Sequence, residues 1–422
     1  MNKLLILTYY WPPSSGAGVQ RWLKFSKYLP SFGWEPVIVT VDPDFAAYPA
    51  LDNTLESDIP AGVKVWKTRA IDYFRMYRKD KSKVPSAGFA SSDKNGLTGR
   101  IMRFIRGNFF IPDPRRGWNS FAYRKACEII EKEGIRHVIT TSPPHSTQLI
   151  GMKLKKKYPG IRWIADLRDP WTDIYYYEMF THTPPAKSLD ALYERETIKK
   201  ADHVITVGSS LRDIFSSRIP GSENKFTVIS NGYDEEDFKE QAKESTGDFV
   251  ITYAGTLSET YPLEGFLDAS ARYISKGNSM KIRFIGAISN SWKESVSGGA
   301  VSGYTEFLPH VDHHEAVKLM KESSALLLII PDHRSNKSII TGKLFEYIAS
   351  GRPVICLGPA DGDAAMIINE TRCGVVNNYN DIAGIENSIS LIRAGAVKTD
   401  TRSALKYSRR SLTAKLVDLL GV

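Results

Sequence analysis

The residues best able to do chemistry lie in SIITGKLFEYIASGRPVICLGPADGD, residues 338–363. Lys343 falls in the first turn of a helical pattern beginning near Gly342. A cation there opposes the helix dipole, so its charge is expected to serve an anion such as a diphosphate. Glu346, three residues on, has the two acceptor oxygens needed to hold both hydroxyls of a ribose. A surface Lys–Glu pair three apart is the plain alternative. Further on, Gly362 between Asp361 and Asp363 opens another helix and offers a second backbone-amide anion site.

The first half carries three more constellations. In YYWPPSSGAGVQRW, Gly16 and Gly18 directly precede a helix whose N-terminal amides are suited to a phosphate or sugar oxygen. The third glycine of a dinucleotide fingerprint is missing, which argues against an NAD site; a plain tight turn would look the same. In TTSPPHSTQLIG, His145 follows a strand and two prolines and is placed to hydrogen-bond a ligand, with Ser146 able to cap the next helix. In ADLRDPW, Asp166, Arg168, Asp169 and Trp171 crowd one strand end. Such groups are costly to bury without partners, so they read either as a structural Asp–Arg pair or as contacts to a polar ligand. Asn231-Gly232 reads as a tight turn and hinge between two halves.

The elements that must position these residues are strands alternating with helices. KLLILTYY leads into a helix over Val19–Leu29 and the strand Pro36–Val41, followed by strands His137–Ser142, Arg162–Leu167 and His203–Gly208. The pattern restarts with strand Asp248–Thr256 and a helical stripe at Leu263, Phe266, Leu267, Ser270 and Ile274. KIRFIGA, helix His313–Glu322, ALLLII, helix Gly342–Ser350, PVICLG, helix Asp361–Glu370 and GVV complete it. Short apolar strands separated by helices imply α/β architecture with parallel sheets covered on both faces. Two such runs in 422 residues predict two Rossmann-like domains, over residues 1–236 and 237–407. The joint is expected in the polar stretch Asp234–Gly247. A last helix with Leu412, Leu416, Leu419 and Leu420 on one face, within 408–422, can pack on either domain.

Composition bounds the rest. Hydrophobic residues make up 42% and charged residues 24%, which excludes disorder and fibrous repeats. The N-terminus reads as a first strand rather than a signal peptide. Cys127, Cys356 and Cys373 are scattered without metal-ligand spacing, as suits reduced thiols in the cytoplasm. Net charge is +9, and residues 75–116 hold eleven Lys or Arg against three Asp, a local net of +8. Within that segment GRIMRFIRGNFFIP mixes arginines with apolar side chains. This suits an interfacial helix making a peripheral contact at the inner face of the cell membrane. A solvated loop (residues 84–99 are polar and Gly/Ser-rich) followed by a core-facing helix is the alternative. Nucleic acid comes last, since no recognised binding motif accompanies the charge.

Taken in order along the chain, YYWPPSSGAG, His145, VISNGYDEEDF, YAGT at Tyr253–Thr256 and GKLFEYIASGRPVI resemble the retaining nucleotide-sugar glycosyltransferases of family 4 (group 1), which have the GT-B fold. The resemblance implies two Rossmann-like domains facing each other across a cleft, with no cofactor and no metal. It implies transfer from a nucleoside-diphosphate sugar to a hydroxyl of a glycan or lipid-linked acceptor, as in surface polysaccharide or lipopolysaccharide assembly. Glu346 then matches the ribose-binding second glutamate of the family motif, and Ser338 stands where the first would be. The backbone of residues 339–342, including Thr341 and Gly342, matches the run that holds sugar hydroxyls. His145 matches the histidine near the reacting sugar, and Gly16–Gly18 match the glycine loop near the donor phosphate. The phosphate-binding Arg and Lys usual after the second domain's first strand are missing, with Thr256 and Lys343, aided by Arg334 or Lys337, as substitutes. Asp166 and Asp169 are candidates to orient the acceptor, with Arg168, Trp171, Arg115 and Arg116 on the acceptor side. A sugar-nucleotide epimerase of the same fold, and a non-catalytic sugar-nucleotide or glycan-binding protein, are the competing readings.

Overall fold

A computed structural model describes residues 1–73, 97–174, 176–239 and 247–421. The first part of the basic segment (Arg75, Arg78, Lys79, Lys81, Lys83 and Lys94) therefore lies outside the described residues, as do residues 240–246 of the expected joint. Two compact units form: Met1–Ser230 with Thr413 onward, and Asn231–Leu412.

The first unit holds a seven-stranded parallel sheet. Its elements are β1 (Asn2–Leu7), α1 (Ala17–Tyr28), β2 (Trp34–Val41), β3 (Lys64–Thr68), α2 (Leu97–Phe109), α3 (Asn119–Glu133) and β4 (His137–Ser142). They continue with α4 (Ser146–Lys157), β5 (Arg162–Leu167), α5 (Pro184–Lys200), β6 (His203–Thr206), α6 (Ser209–Ser217) and β7 (Phe226–Val228). The strand order is β3-β2-β1-β4-β5-β6-β7, so the winding reverses between β1 and β4. Leu4–Leu7, Val37–Val39, Val138, Ile139 and Trp163–Ala165 are fully buried, as strands covered on both faces must be.

The second unit repeats the plan in six parallel strands, ordered β10-β9-β8-β11-β12-β13. It runs β8 (Val250–Ala254), α7 (Glu264–Ser275), β9 (Lys281–Ile285), α8 (Asn290–Ser297), β10 (Thr305–Leu308), α9 (His313–Glu322) and β11 (Ala325–Ile329). Then follow α10 (Gly342–Ser350), β12 (Val354–Leu357), α11 (Asp363–Thr371), β13 (Gly374–Asn377), α12 (Ile382–Arg393), α13 (Thr401–Ala404) and the first turn of α14 (Arg409–Leu420), the rest of which belongs to the first unit. Alternate residues of one strand feed opposite layers. Leu327 and Ile329 pack with Phe266, Ile385 and Ile389, whereas Leu326 and Leu328 pack with Leu344, Phe345 and Ile368.

The division between units precedes the polar joint expected from sequence. Tyr233 explains this: its N–H bonds the Tyr407 carbonyl and its own carbonyl accepts from Arg409 N–H, tying residues 231–238 into the second unit. Residues from Thr413 on belong to the first unit, where the Leu419 carbonyl accepts from Arg162. No helix among the described residues is long and apolar enough to cross a membrane. The three cysteines are buried and unbridged.

Candidate active site

Ligands of doubly wound sheets bind beyond the carboxyl ends of the strands, at the point where the order reverses. In the second unit that point lies between β8 and β11, and it collects Gly255, Thr256 and the N-terminus of α10.

The first turn of α10 is fixed by Tyr347. Its hydroxyl accepts from Ala254 N–H at 2.9 Å and lies 3.5 Å from the Ala254 carbonyl, docking the helix onto the end of β8. Lys343, one turn earlier, reaches the loop after β8. Its Nζ donates to the Tyr253 hydroxyl at 2.5 Å and to the Thr256 carbonyl at 3.3 Å, and it lies 4.1 Å from the Tyr253 ring centroid. Gly255 has φ +121°, and a Cβ there would fall 2.4 Å from Lys343 Cε. The ammonium thus occupies the place beside Gly255-Thr256 from which basic side chains are missing in the sequence. Burial lowers its pKa to about 8, with Glu346 opposing the shift.

Glu346 is half-buried and makes no hydrogen bond or ion pair with any described residue. Burial raises its pKa, while His313 and Lys343 pull it down. Thr341, the N-cap residue of α10, makes no capping bond, and its hydroxyl is buried without a partner. Ser338 sits at the end of a 3-10 turn and spends its hydroxyl on the Ser335 carbonyl.

Two other anion-binding candidates, Lys337 and Gly362, stand differently. Lys337 pairs with Asp361 at 2.5 Å, both side chains exposed. Gly362 gives its own N–H to the Pro359 carbonyl, so any anion site at α11 must use later amides. No group of three His, Cys, Asp or Glu among the described residues is arranged to hold a metal ion.

In the first unit the reversal point lies between β1 and β4. Gly16 caps α1 with φ +98° and ψ 170°, a conformation open in practice to glycine only, and α1 has no side-chain cap. Gly18 is less constrained; a Cβ would meet Tyr10 at an ordinary 3.7 Å.

The acidic-basic cluster after β5 departs most from expectation. Asp166 is an interior anchor, not a ligand contact. Its carboxylate, fully buried, accepts from Arg21 Nε and Nη2 at 3.2 and 3.0 Å, Trp22 Nε1 at 2.9 Å and Thr141 Oγ1 at 2.8 Å. The structural Asp–Arg pair exists, but its arginine is Arg21 of α1. Arg168 is likewise a clamp within the unit: Nε donates to the Ser142 carbonyl at 2.7 Å and Nη1 to the Gly18 carbonyl at 3.0 Å. It therefore holds the glycine loop against the end of β4.

Trp171 is 2% exposed, so it is a support rather than a surface for acceptor. Its Nε1 donates to Asp190 of α5 at 2.7 Å, and its ring stacks on His145 at 4.7 Å and 16°. Neither ring nitrogen of His145 has a partner at hydrogen-bonding geometry. Burial drives its pKa down to about 3, outweighing the Pro170 carbonyl, so the imidazole is neutral at ordinary pH. His145 and Trp171 line a cavity of about 70 Å³ within this unit. Asp169 is half-buried with a pKa raised by burial, against the pull of Arg168. Arg115 is buried beside Asp113, Tyr9 and Tyr10. Arg116 is exposed; it donates to the Ile111 carbonyl and lines a wider groove of about 890 Å³.

Several residues that shape the site gave no recognisable signal. Arg21 and Trp22 look like ordinary helix residues until Asp166 is seen between them. Asp190 and Glu194, four apart in DALYERETIKK, are each 2% exposed without standing out in the sequence. Glu194 grips Thr172 through N–H and Oγ1, completing the hold of α5 on the loop after β5.

The sequence pattern described as Glycosyltransferase Family 4 matches residues 18–237, just over half of the chain. The chain belongs to glycosyltransferase family 4. No curated protein sequence matches it. Solved structures of similar fold include a glycosyltransferase from Rickettsia africae ESF-5, at 15% identity and TM-score 0.65, covering 99% of this chain and 98% of that one. The lipopolysaccharide outer core galactosyltransferase WaaB in its apo form aligns at 12% identity and TM-score 0.61, covering 100% and 99%. HepE from Anabaena in complex with UDP aligns at 13% identity and TM-score 0.61, again covering 100% and 99%. These likenesses fix the GT-B fold for this family 4 glycosyltransferase: two α/β units with parallel sheets of seven and six strands.

Proposed function

We propose that the chain transfers a sugar, with retained anomeric configuration, from a nucleoside-diphosphate sugar to a hydroxyl of a glycan or lipid-linked acceptor. The observation that carries this reading is the pairing of Lys343 and Glu346 on one turn of α10, with the Glu346 carboxylate uncommitted inside the protein. A carboxylate kept half-buried without a partner costs stability unless a ligand uses it. Two hydroxyls on adjacent ribose carbons match its two oxygens.

In the reaction the bond from the anomeric carbon to the diphosphate oxygen breaks, and its electron pair leaves with the diphosphate. The acceptor oxygen bonds that carbon from the same face and passes its proton to the departing phosphate oxygen. Lys343 and the α10 amides stabilise the growing negative charge from fixed positions, so no metal is required in this scheme. His145, being neutral, hydrogen-bonds a sugar hydroxyl rather than donating a proton to the leaving group.

WaaB's role in lipopolysaccharide favours surface polysaccharide or lipopolysaccharide assembly, and UDP in HepE makes uridine donors the first to try. Helix α2 exposes Ile101, Met102, Phe104 and Phe109 beside Arg100 and Arg103, which favours work at the inner face of a membrane.

Calorimetry against UDP-, GDP-, ADP- and dTDP-sugars tests the reading. One donor should bind saturably, and Glu346→Gln should weaken it about a hundredfold, the worth of two charge-assisted hydrogen bonds. Binding untouched by Glu346→Gln would refute the ribose assignment.

A further inference from the structure

The cavity beside His145 has an unusual balance of charge. Arg106 of α2 and Arg115 both line it. Arg106 makes no hydrogen bond with any described residue; its guanidinium lies 4.3 Å from the Phe180 ring centroid. Burial, reinforced by repulsion from Arg115, lowers its pKa to about 10.

Two carboxylates share the cavity, and both are spent. Asp113 accepts Ser146 N–H at 2.8 Å, Ser146 Oγ at 2.9 Å and Arg115 N–H at 2.9 Å. Asp190 accepts Trp171 Nε1, and burial pushes its pKa up to about 7. Arg106 therefore borders a small space whose acids are turned to other tasks, with the charge of Arg115, itself eased by Tyr9, Tyr10 and Asp113, close by. Such an arrangement is costly when empty and favourable around an anion.

At about 70 Å³ the space is several times what one water needs, roughly 10–15 Å³ on the comparable measure. It has room for a phosphate or carboxylate group but not for a nucleotide.

We propose that this cavity is an oxyanion subsite, binding a phosphate or carboxylate carried by the acceptor against Arg106, with Arg115 adding charge and His145 at its rim. The acceptor of this family 4 enzyme is then an anionic glycan or a phosphate-linked one. The assignment to acceptor rests on the reading of the first unit as the acceptor side; the anion site itself does not.

The test titrates the full chain, without donor, with glycerol 3-phosphate, inorganic phosphate and glucuronate at constant ionic strength held by chloride. At least one oxyanion should bind saturably. Arg106→Gln should weaken it tenfold or more, Arg106→Lys should retain part of the affinity, and the surface control Arg124→Gln should change nothing. Phosphate compounds alone, or glucuronate alone, would identify the group. Absence of saturable binding overturns the proposal. So does binding that survives both Arg106 variants, or that is lost instead in Lys343→Met, which would move the anion to the second unit. Circular dichroism in chloride checks that each variant is folded, and Arg106→Lys keeps the test decisive if Arg106→Gln is not. Failure of every sugar nucleotide to bind would sink the donor reading while leaving this result standing.

Discussion

Two strand-end clusters in this protein look alike as text and differ in kind. After β5, ADLRDPW supplies acids, a guanidinium and an indole, and the fold consumes most of them. Asp166 is ringed by Arg21, Trp22 and Thr141, Arg168 by backbone carbonyls, and Trp171 by Asp190 and His145. Around α10, Lys343 meets a hydroxyl, a carbonyl and the aromatic faces of Tyr253 and Tyr261, while Glu346 and the Thr341 hydroxyl have no hydrogen-bond partner among the described residues. A dense polar motif is thus not by itself a site. What separates the two is whether the chain's own donors and acceptors use up the polar atoms.

The largest effect should come from breaking the consumed cluster. Arg21→Ala leaves the Asp166 carboxylate buried without its cation, and removing one member of a buried pair costs about 3–5 kcal/mol. Urea unfolding of the first unit should show that loss, with sugar-nucleotide affinity unchanged. A loss below about 1 kcal/mol accompanied by abolished transfer would give Asp166 a role in the reaction and collapse the contrast.

Next comes the charge on Lys343. With its pKa near 8, the ammonium is mostly present at pH 7 and mostly absent at pH 9.5. Diphosphate affinity should therefore fall as pH rises past about 8, by up to tenfold per unit, about 1.4 kcal/mol. Lys343→Met should bind weakly and without that slope. A slope that persists in the variant would locate the titrating group elsewhere.

The smallest effect concerns Trp171→Phe, which removes the N–H that Asp190 accepts. Asp190 has a folded pKa of about 7, above the roughly 3.9 of an unfolded chain. Its protonated form therefore favours the fold, and that contribution is full below about pH 4 and lost as pH rises through 7. The variant should cost about 1 kcal/mol at pH 5. The cost should grow above pH 7, where an ionised Asp190 lacks its donor. Equal costs at pH 5 and 8, measured by unfolding, would mean that Asp190 does not titrate in that window.

The sequence revealed the repeated strand–helix plan because the central strands are short apolar runs bounded by glycine and proline. It hid β3, β7 and β10, which are edge strands of three to five residues; β3 reads KVWKT and is largely exposed. At the candidate site, Glu346 and Lys343 were legible because three-residue spacing puts both on one helical face. The partners of Asp166 and Trp171 were not. Arg21 lies 145 residues from Asp166, and nothing in a local window distinguishes a helix arginine that turns inward. The position of Lys343 beside Gly255 was hidden for the same reason: 88 residues of chain separate two groups that the fold sets side by side.

The bond of Tyr347 to the end of β8 has a consequence for selectivity. The cation and the carboxylate are carried on one turn of a helix docked at the end of β8, so their backbone positions are fixed relative to each other. Under the proposed donor reading, a sugar nucleotide would be gauged by its internal span, from its diphosphate to its ribose diol. Molecules with an extra or a missing phosphate would be out of step with that gauge however well their rings fit, and length becomes a criterion of admission separate from the base.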